Sequence, residues 1–338
     1  MLKKRKAVVL FLLIIVFISL IGIFRLKEAT LNQKLSITDD LMFNVSKGES
    51  YKSLINDLSK QNVLKNNFFI NNLWRVYPPA SSIREGTYLI KPGSSLSDLI
   101  QMINEGKVYQ FSITLIDGET YADWIRQLEK NKYLKHTLNG LNEEDVAKKL
   151  GTNHHSLEGL LLPNTYFFTS QDSDYDIIKR AYLAMNVFLD KVWKNRDRSD
   201  LIKTKYQALI LASLIEKETG VSDEKKLVSS VFYNRLKKNM RLQTDPTVIY
   251  GLGKKYNGKL TSKNLKTVTP YNTYIITGLP PTPIAMPNKS SILAALHPDK
   301  TKYLYFVATG HGGHTFTTNY KEHVNAVKKY YKTLKNEK

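Results

Sequence analysis

Phe111-Ser112-Ile113-Thr114-Leu115-Ile116-Asp117-Gly118-Glu119-Thr120-Tyr121-Ala122-Asp123-Trp124-Ile125-Arg126-Gln127-Leu128 changes its hydrophobic period halfway along. From Phe111 to Ile116 the residues alternate as a half-buried strand does, whereas Trp124, Ile125 and Leu128 recur at helical spacing. A strand, a glycine turn, a Ser or Thr cap and an amphipathic helix folding back on the strand account for that order. The same unit stands twice more upstream. Met42 to Val45 leads through Lys47-Gly48-Glu49-Ser50-Tyr51 to Leu54, Ile55 and Leu58, and Thr87 to Ile90 leads through Pro92-Gly93-Ser94-Ser95-Leu96 to Leu99, Ile100 and Ile103. The intervals between copies are unequal, so this is a reused local unit and not a solenoid. The expected fold class is α+β.

The first two copies resemble the LysM carbohydrate-binding module, which suggests a small LysM-like domain at 41–107. Generic strand-to-helix turns produce the same pattern, and these residues alone leave both readings open. Ahead of the module, Ala7 to Phe24 carries no charged side chain and is long enough to cover most of a hydrocarbon core of about 30 Å. Lys3, Lys4, Arg5 and Lys6 precede it, outnumbering Arg25 and Lys27 beyond it. The positive-inside rule then sets a cytoplasmic tail at 1–6, a transmembrane helix at 7–24 and the rest of the chain outside the cytoplasm. Ile23-Phe24-Arg25-Leu26 lacks the small residues of a signal-peptide cleavage site, so the span reads as an uncleaved anchor. Residues 25–40 are polar and mixed, a tether that would reach roughly 50 Å if fully extended.

Composition narrows the chemistry. The chain has no cysteine, which excludes disulfides and thiolate catalysis. Its formal net charge is +20, of which the tail supplies a small part, and that excess suits work beside anionic lipid or an anionic polymer. Nucleic acid is not an expected partner: the body lies in the wrong compartment, and neither zinc-finger spacing nor an aromatic RNA-binding motif is present. His311-Gly312-Gly313-His314 fits a hairpin turn between strands at Tyr303 to Thr309 and Thr315 to Thr317 better than a metal site, since a third ligand is missing. No metal and no cofactor are expected. Ser213 lacks the flanking glycines of a nucleophile elbow.

The later chain reads as mainly helical, over Tyr175 to Lys194, Lys203 to Thr219, Ser222 to about Lys238, and a basic C-terminal helix opened by Asn319. Between Arg241 and Pro287 it is rich in Thr, Asn, Pro, Gly and Tyr, with one short helical turn expected after Asp245-Pro246. Ordered-looking loops of this length are usually functional. Chemistry concentrates just before that loop, in Leu209-Ile210-Leu211-Ala212-Ser213-Leu214-Ile215-Glu216-Lys217-Glu218-Thr219-Gly220. At about 100° per residue, Ile210, Leu211, Leu214 and Ile215 share a face, Glu218 projects into its middle and Glu216 lies nearly opposite. Two carboxylates so placed cannot serve one site. Glu218 also sits in the last turn, where the helix dipole and burial both disfavour its ionisation. A carboxyl held protonated suits a general acid in glycoside cleavage. A Glu paired with a buried Arg or Lys as a structural strut is the alternative.

Further motifs separate the two. Ile215-Glu216-Lys217-Glu218-Thr219, Val231-Phe232-Tyr233-Asn234-Arg235-Leu236 and Arg241-Leu242-Gln243-Thr244-Asp245-Pro246-Thr247-Val248-Ile249-Tyr250-Gly251 together resemble the YceG-like endolytic murein transglycosylases of the MltG type. The resemblance continues through Tyr271-Asn272-Thr273-Tyr274, Thr277-Gly278-Leu279-Pro280-Pro281, His297-Pro298 and Gly312-Gly313-His314-Thr315-Phe316, and reaches upstream to Glu158-Gly159 and Pro163. It covers essentially the whole chain and implies a larger mixed α/β catalytic domain at 108–338.

The family's catalytic residue falls on Glu218. As an acid it would protonate the oxygen between N-acetylmuramic acid and N-acetylglucosamine, and as a base it would then deprotonate the muramoyl 6-hydroxyl, leaving a 1,6-anhydromuramoyl end. Asn234, Gln243, Asp245, Tyr271, Asn272 and Thr273 offer groups suited to sugar hydroxyls and acetamides, Arg235 suits a lactyl or peptide carboxylate, and Glu158 and Asp245 are possible helpers. For each of these residues a cap, turn or helix-pairing role fits equally well. The resemblance implies peptidoglycan glycan strands as substrate, peptidoglycan synthases as partners and the bacterial cell membrane as location. Two competing classes are a non-enzymatic wall-binding scaffold and a metal-dependent amidase or peptidase. The intact motif around Glu218 argues against the first, and the missing ligand set against the second.

Overall fold

Ser50, Ser95 and Thr120, the cap positions of the three repeated units, each accept a hydrogen bond from the backbone N–H three residues on, and a helix follows each one. The computed structural model describes residues 2–65, 70 and 83–336. Most of 66–82 within the expected module, together with Met1, Glu337 and Lys338, lies outside the described residues. The chain divides into two units, one of 1–111 with 168–171 and one of 112–167 with 172–338.

The first unit begins with helix α1 (Leu2–Leu31). Its stretch Lys4–Leu31 has a mean hydropathy of 3.3 and is long and apolar enough to cross a membrane. Residues 25–40, read as an extended tether, continue the helix to Leu31, and Leu35 is then buried. The cause is long-range pairing: Leu35 N–H bonds the Ser94 carbonyl at 2.9 Å and Ser36 N–H the Val63 carbonyl at 2.7 Å, drawing Leu35 into the core of this unit. Strands β1 (Leu41–Val45) and β2 (Gly86–Ile90) pair antiparallel, Leu41 opposite Ile90 and Val45 opposite Gly86. Helices α2 (Tyr51–Lys60) and α3 (Leu96–Glu105) bury Leu54, Ile55, Leu58, Leu99 and Ile103 in one cluster with Phe43 and Tyr88. At roughly 1.5–3 kcal/mol per buried apolar side chain, that cluster is what holds two short strands together.

Strand β3 (Phe111–Leu115) pairs with β4 (Asn164–Phe168), and all but Phe111 and Phe168 of these strands belong to the second unit. Helix α4 (Tyr121–Glu129) returns over β3, and its Trp124 donates Nε1–H to the Ile116 carbonyl at 2.9 Å. Helix α5 (Glu143–Leu150) precedes β4, and the long α6 (Asp174–Trp193) follows it behind the capping box of Ser173 and Asp176. Helix α7 (Lys205–Glu218) is enclosed on every side: Ala208 through Ile215 are all buried. The single apolar stripe expected for it therefore understates its burial.

A 3₁₀ turn (Ser222–Glu224) leads into α8 (Lys225–Lys237). In the long polar segment, α9 (Asp245–Leu252) has two full turns where one was expected, and α10 (Ser262–Leu265) adds another. Helix α11 (Lys289–Leu296) and the hairpin of β5 (Tyr305–Ala308) and β6 (His314–Thr317) precede the C-terminal α12 (Tyr320–Asn336). His314 pairs with Ala308 inside the hairpin, so the turn closes before it, through Thr309 N–H to the Gly313 carbonyl.

Candidate active site

Glu218 ends α7, and the segment from Arg235 at the end of α8 to Asp245 at the start of α9 curls past it. The result is a cleft of about 350 Å³ lined by Glu218, Arg235, Gln243, Asp245, Tyr274 and Tyr305, with Leu242, Phe306, Tyr320 and His323 completing it. Thr244 is the N-cap of α9, but its hydroxyl makes no capping bond and instead donates to Oε1 of Glu218. The neighbouring Thr273 hydroxyl accepts the Thr244 N–H at 3.0 Å, fixing the backbone from which the Thr244 hydroxyl reaches the carboxyl.

Burial pushes the Glu218 carboxyl up to about 7, and the charge of Asp245 adds to the rise. The Thr244 bond and the more weakly acting His314 and Arg235 oppose it without cancelling it. Asp245 is itself oriented by the Tyr274 hydroxyl, which donates to its Oδ1 at 2.6 Å. Arg235 is buried, and its donors go to the carbonyls of Leu304 at 2.7 Å and Leu242 at 2.8 Å, with the ring of Tyr305 5.2 Å away. Burial lowers its pKa, so a guanidinium spent on carbonyls braces the cleft wall.

A second pair ties the hairpin to the end of α7. Nδ1 and the backbone N–H of His314 both lie 2.7 Å from the carboxylate of Glu224, which also accepts the Thr219 hydroxyl at 3.4 Å. Burial draws the Glu224 carboxyl upward, but the His314 bonds outweigh it and hold it below the ordinary range. Among the described residues, no group of three or more His, Asp or Glu side chains is arranged to hold a metal ion.

Of the residues singled out in the sequence, the cleft gathers Glu218, Arg235, Gln243 and Asp245. Asn272 and Thr273 are fully buried, which is at odds with direct sugar contact. Asn272 donates to the carbonyls of Leu265 and Thr267, and Thr273 shares a hydrogen bond with Thr247, so both shape the loop behind the cleft. Asn234 donates to the carbonyls of Thr301 and Tyr303. The Tyr271 hydroxyl pairs with Thr282. Glu158 is also buried outside the cleft, accepting the Tyr121 N–H at 3.1 Å and the Tyr250 hydroxyl at 3.3 Å, and burial pushes it up to about 8. Sequence reasoning passed over Thr244, Tyr274, Tyr305, Tyr320 and His323. Tyr274 adjoins the flagged Tyr271-Asn272-Thr273, and Tyr320 and His323 share a helical face three residues apart. Those were the available signals. His323 brings a buried Nδ1 that has no hydrogen-bond partner, a polar atom facing the need for one.

Comparison with known proteins identifies the family of the chain. Residues 43–329 match the model of the YceG-like family. Over 313 residues the chain is 37% identical to the endolytic murein transglycosylase of Bacillus subtilis (strain 168), covering 87% of this chain and 86% of that protein. It is 25% identical to the endolytic murein transglycosylase of Streptococcus pneumoniae serotype 2 (strain D39), covering 82% of this chain and 56% of that one. A crystal structure of a yceG-like protein from Listeria monocytogenes, 29% identical, superimposes with a TM-score of 0.52 over 85% of this chain and 98% of its own. With the family model spanning both structural units, the chain belongs to the YceG-like family.

Proposed function

We propose that this chain is an endolytic lytic transglycosylase of peptidoglycan whose acid and base are one carboxyl, Glu218. The observation that carries the reading is a carboxyl raised to about 7 in an open cleft, held by a neutral hydroxyl instead of a cation. Near neutral pH it is available in both protonation states, as a group that first donates and then accepts a proton must be. Glu218 donates its proton to the glycosidic oxygen as the bond to muramoyl C1 breaks, and N-acetylglucosamine leaves with a free 4-hydroxyl. The carboxylate so formed takes the proton of the muramoyl 6-hydroxyl, and that oxygen bonds to C1. Atoms and charge balance with no water consumed. Asp245 sits in the same cleft, where its charge keeps the proton on Glu218 and favours the positive charge developing at C1.

The remaining organisation belongs to the same proposal. Residues 1–6 are a cytoplasmic tail, 7–24 the single-pass span, 25–40 its connection, 41–107 a LysM-like module that holds glycan, and 108–338 the catalytic domain outside the cell membrane. The apolar α1 supports the span, and the antiparallel β1–β2 pair backed by two capped helices supports the module. Anchoring selects strands still being polymerised at the membrane and brings the enzyme beside peptidoglycan synthases. No nucleic acid and no metal take part.

The test is mass spectrometry of purified, uncrosslinked glycan strands after incubation with the full chain and with Glu218→Gln. Internal fragments with anhydro ends from the first alone support the proposal; fragments surviving the substitution refute it.

A further inference from the structure

A hollow larger than the Glu218 cleft lies in the second unit. A cavity of about 540 Å³ opens between the first half of α7, the end of α8 and the Thr277-Gly278-Leu279-Pro280-Pro281 loop. That size falls within the range of ligand pockets, and its lining presents more polar than apolar surface. Ile210, Leu236 and Pro280 form the floor, while Tyr206, Asn239 and Thr277 bring a phenol, an amide and a hydroxyl.

The chemistry of that lining is specific in one respect. In a chain of net charge +20, none of the described residues around this cavity is charged. A ligand bearing a carboxylate, such as a lactyl group or a stem peptide, would lose its hydration there without gaining a cation. An uncharged sugar with hydroxyl and acetamido groups meets donors and acceptors of its own kind. The ring of Tyr206 is fixed for contact by stacking on His154, with centroids 4.0 Å apart. Asn239 holds a left-handed φ of 54°, a conformation in which glycine would be less strained. That conformation closes the C-terminus of α8, with Met240 N–H bonding the Arg235 carbonyl at 2.9 Å, and sets the Asn239 side chain at the cavity wall.

Position links this cavity to the cleft. Ile210 lines one and Glu218 the other, eight residues apart on the same helix, or about 12 Å along its axis. Arg235 and Leu236, Met240 and Leu242, and Tyr274 and Thr277 likewise divide between cleft and cavity.

We infer that the cavity is a remote subsite for an uncharged N-acetylglucosamine unit of the strand whose bond lies at Glu218. It rests on the transglycosylase reading for its substrate and deepens it: holding the strand at a second point, away from the scissile bond, makes cutting internal. Two variants test it. Asn239→Gly removes the amide while relieving the backbone, and Met240→Trp fills the space.

Binding of the N-acetylglucosamine tetramer to the full chain is measured by calorimetry, and cleavage is followed on long strands and on strands too short to span both hollows. Expected are an approximately tenfold rise in Kd for one class of tetramer sites, with any class held by the 41–107 module unchanged, and a similar rise in KM on long strands, with kcat within about twofold and short strands unaffected. Tetramer binding that is absent in the wild type, or unchanged in both variants, overturns the subsite. So does a loss shared equally by short and long strands. If the wild type cleaves nothing yet binds the tetramer through Asn239, the transglycosylase reading fails and the sugar site stands.

Discussion

Glu216 and Glu218 stand two residues apart on one helix, and the protein treats them in opposite ways. Glu216 is locked. Its carboxylate meets Lys225 at 3.3 Å, the Ser291 hydroxyl at 2.6 Å and the Asn288 backbone N–H at 3.0 Å, with both members of the ion pair almost wholly buried. Glu218 has a threonine hydroxyl and a cleft. A satisfied buried ion pair fixes the packing of α7, α8 and α11 and does no proton transfer; a carboxyl denied a cation keeps its proton near neutral pH and can give it away. The strut considered for Glu218 exists in this helix, at Glu216.

The largest effect that could break this contrast is on chemistry. Glu218→Gln keeps the shape and the Thr244 contact but cannot transfer a proton, so kcat on glycan strands is expected to fall by about 10³-fold or more, with the melting temperature nearly unchanged. Glu216→Ala is expected to do the reverse. Leaving Lys225 buried and unpaired costs about 3–5 kcal/mol of stability by urea unfolding, while kcat per folded molecule changes little. Glu216→Leu with Lys225→Met should recover most of that loss; a double variant as unstable as the single one would contradict the strut.

Glu158 sharpens the comparison as a third buried carboxyl, raised to about 8 yet not part of the cleft lining. Because its folded pKa exceeds the unfolded value near 4.5, its stabilising contribution is complete below about 4.5 and is lost as pH rises through 8. Glu158→Gln is expected to flatten the decline in stability over that window by about 5 kcal/mol, without moving the pH dependence of kcat. The smallest effect belongs to Thr244→Val. The hydroxyl bond lowers the Glu218 pKa, so its loss moves the alkaline limb of the kcat profile upward from about 7. The rate should fall by about tenfold as the carboxyl loses its orientation. A limb that moves downward or stays in place would show that Thr244 does not hold Glu218.

Much of the α+β framework was legible because it is written locally. A period change beside a Gly turn and a Ser or Thr cap marks three strand-to-helix units, and each cap bond forms as read. The position of Glu218 at the last turn of an apolar helix was legible for the same reason. What surrounds it was not. Lys225, Asn288 and Ser291 reach Glu216 from segments up to 75 residues away, so no local pattern could assign it a partner.

Asn272 and Thr273 mislead in a loop rich in polar groups, since an amide suited to a sugar is equally suited to two backbone carbonyls, and burial alone tells which it serves. Arg235 is similar: its guanidinium fits a carboxylate in principle and braces carbonyls in fact. Tyr305, Tyr320 and His323 come to the cleft from the C-terminal hairpin and helix, a closure that only the folded chain brings about.

Glycan cleavage in water enriched in heavy oxygen tests most directly whether one carboxyl does both proton transfers. With Glu218 acting alone, every new muramoyl end is an anhydro ring closed by its own 6-hydroxyl, and the fragments have the same mass in labelled and ordinary water. New reducing ends that carry the heavy oxygen would mean that a water was activated, with Asp245 as the second carboxylate in the cleft, and would contradict the single-carboxyl mechanism.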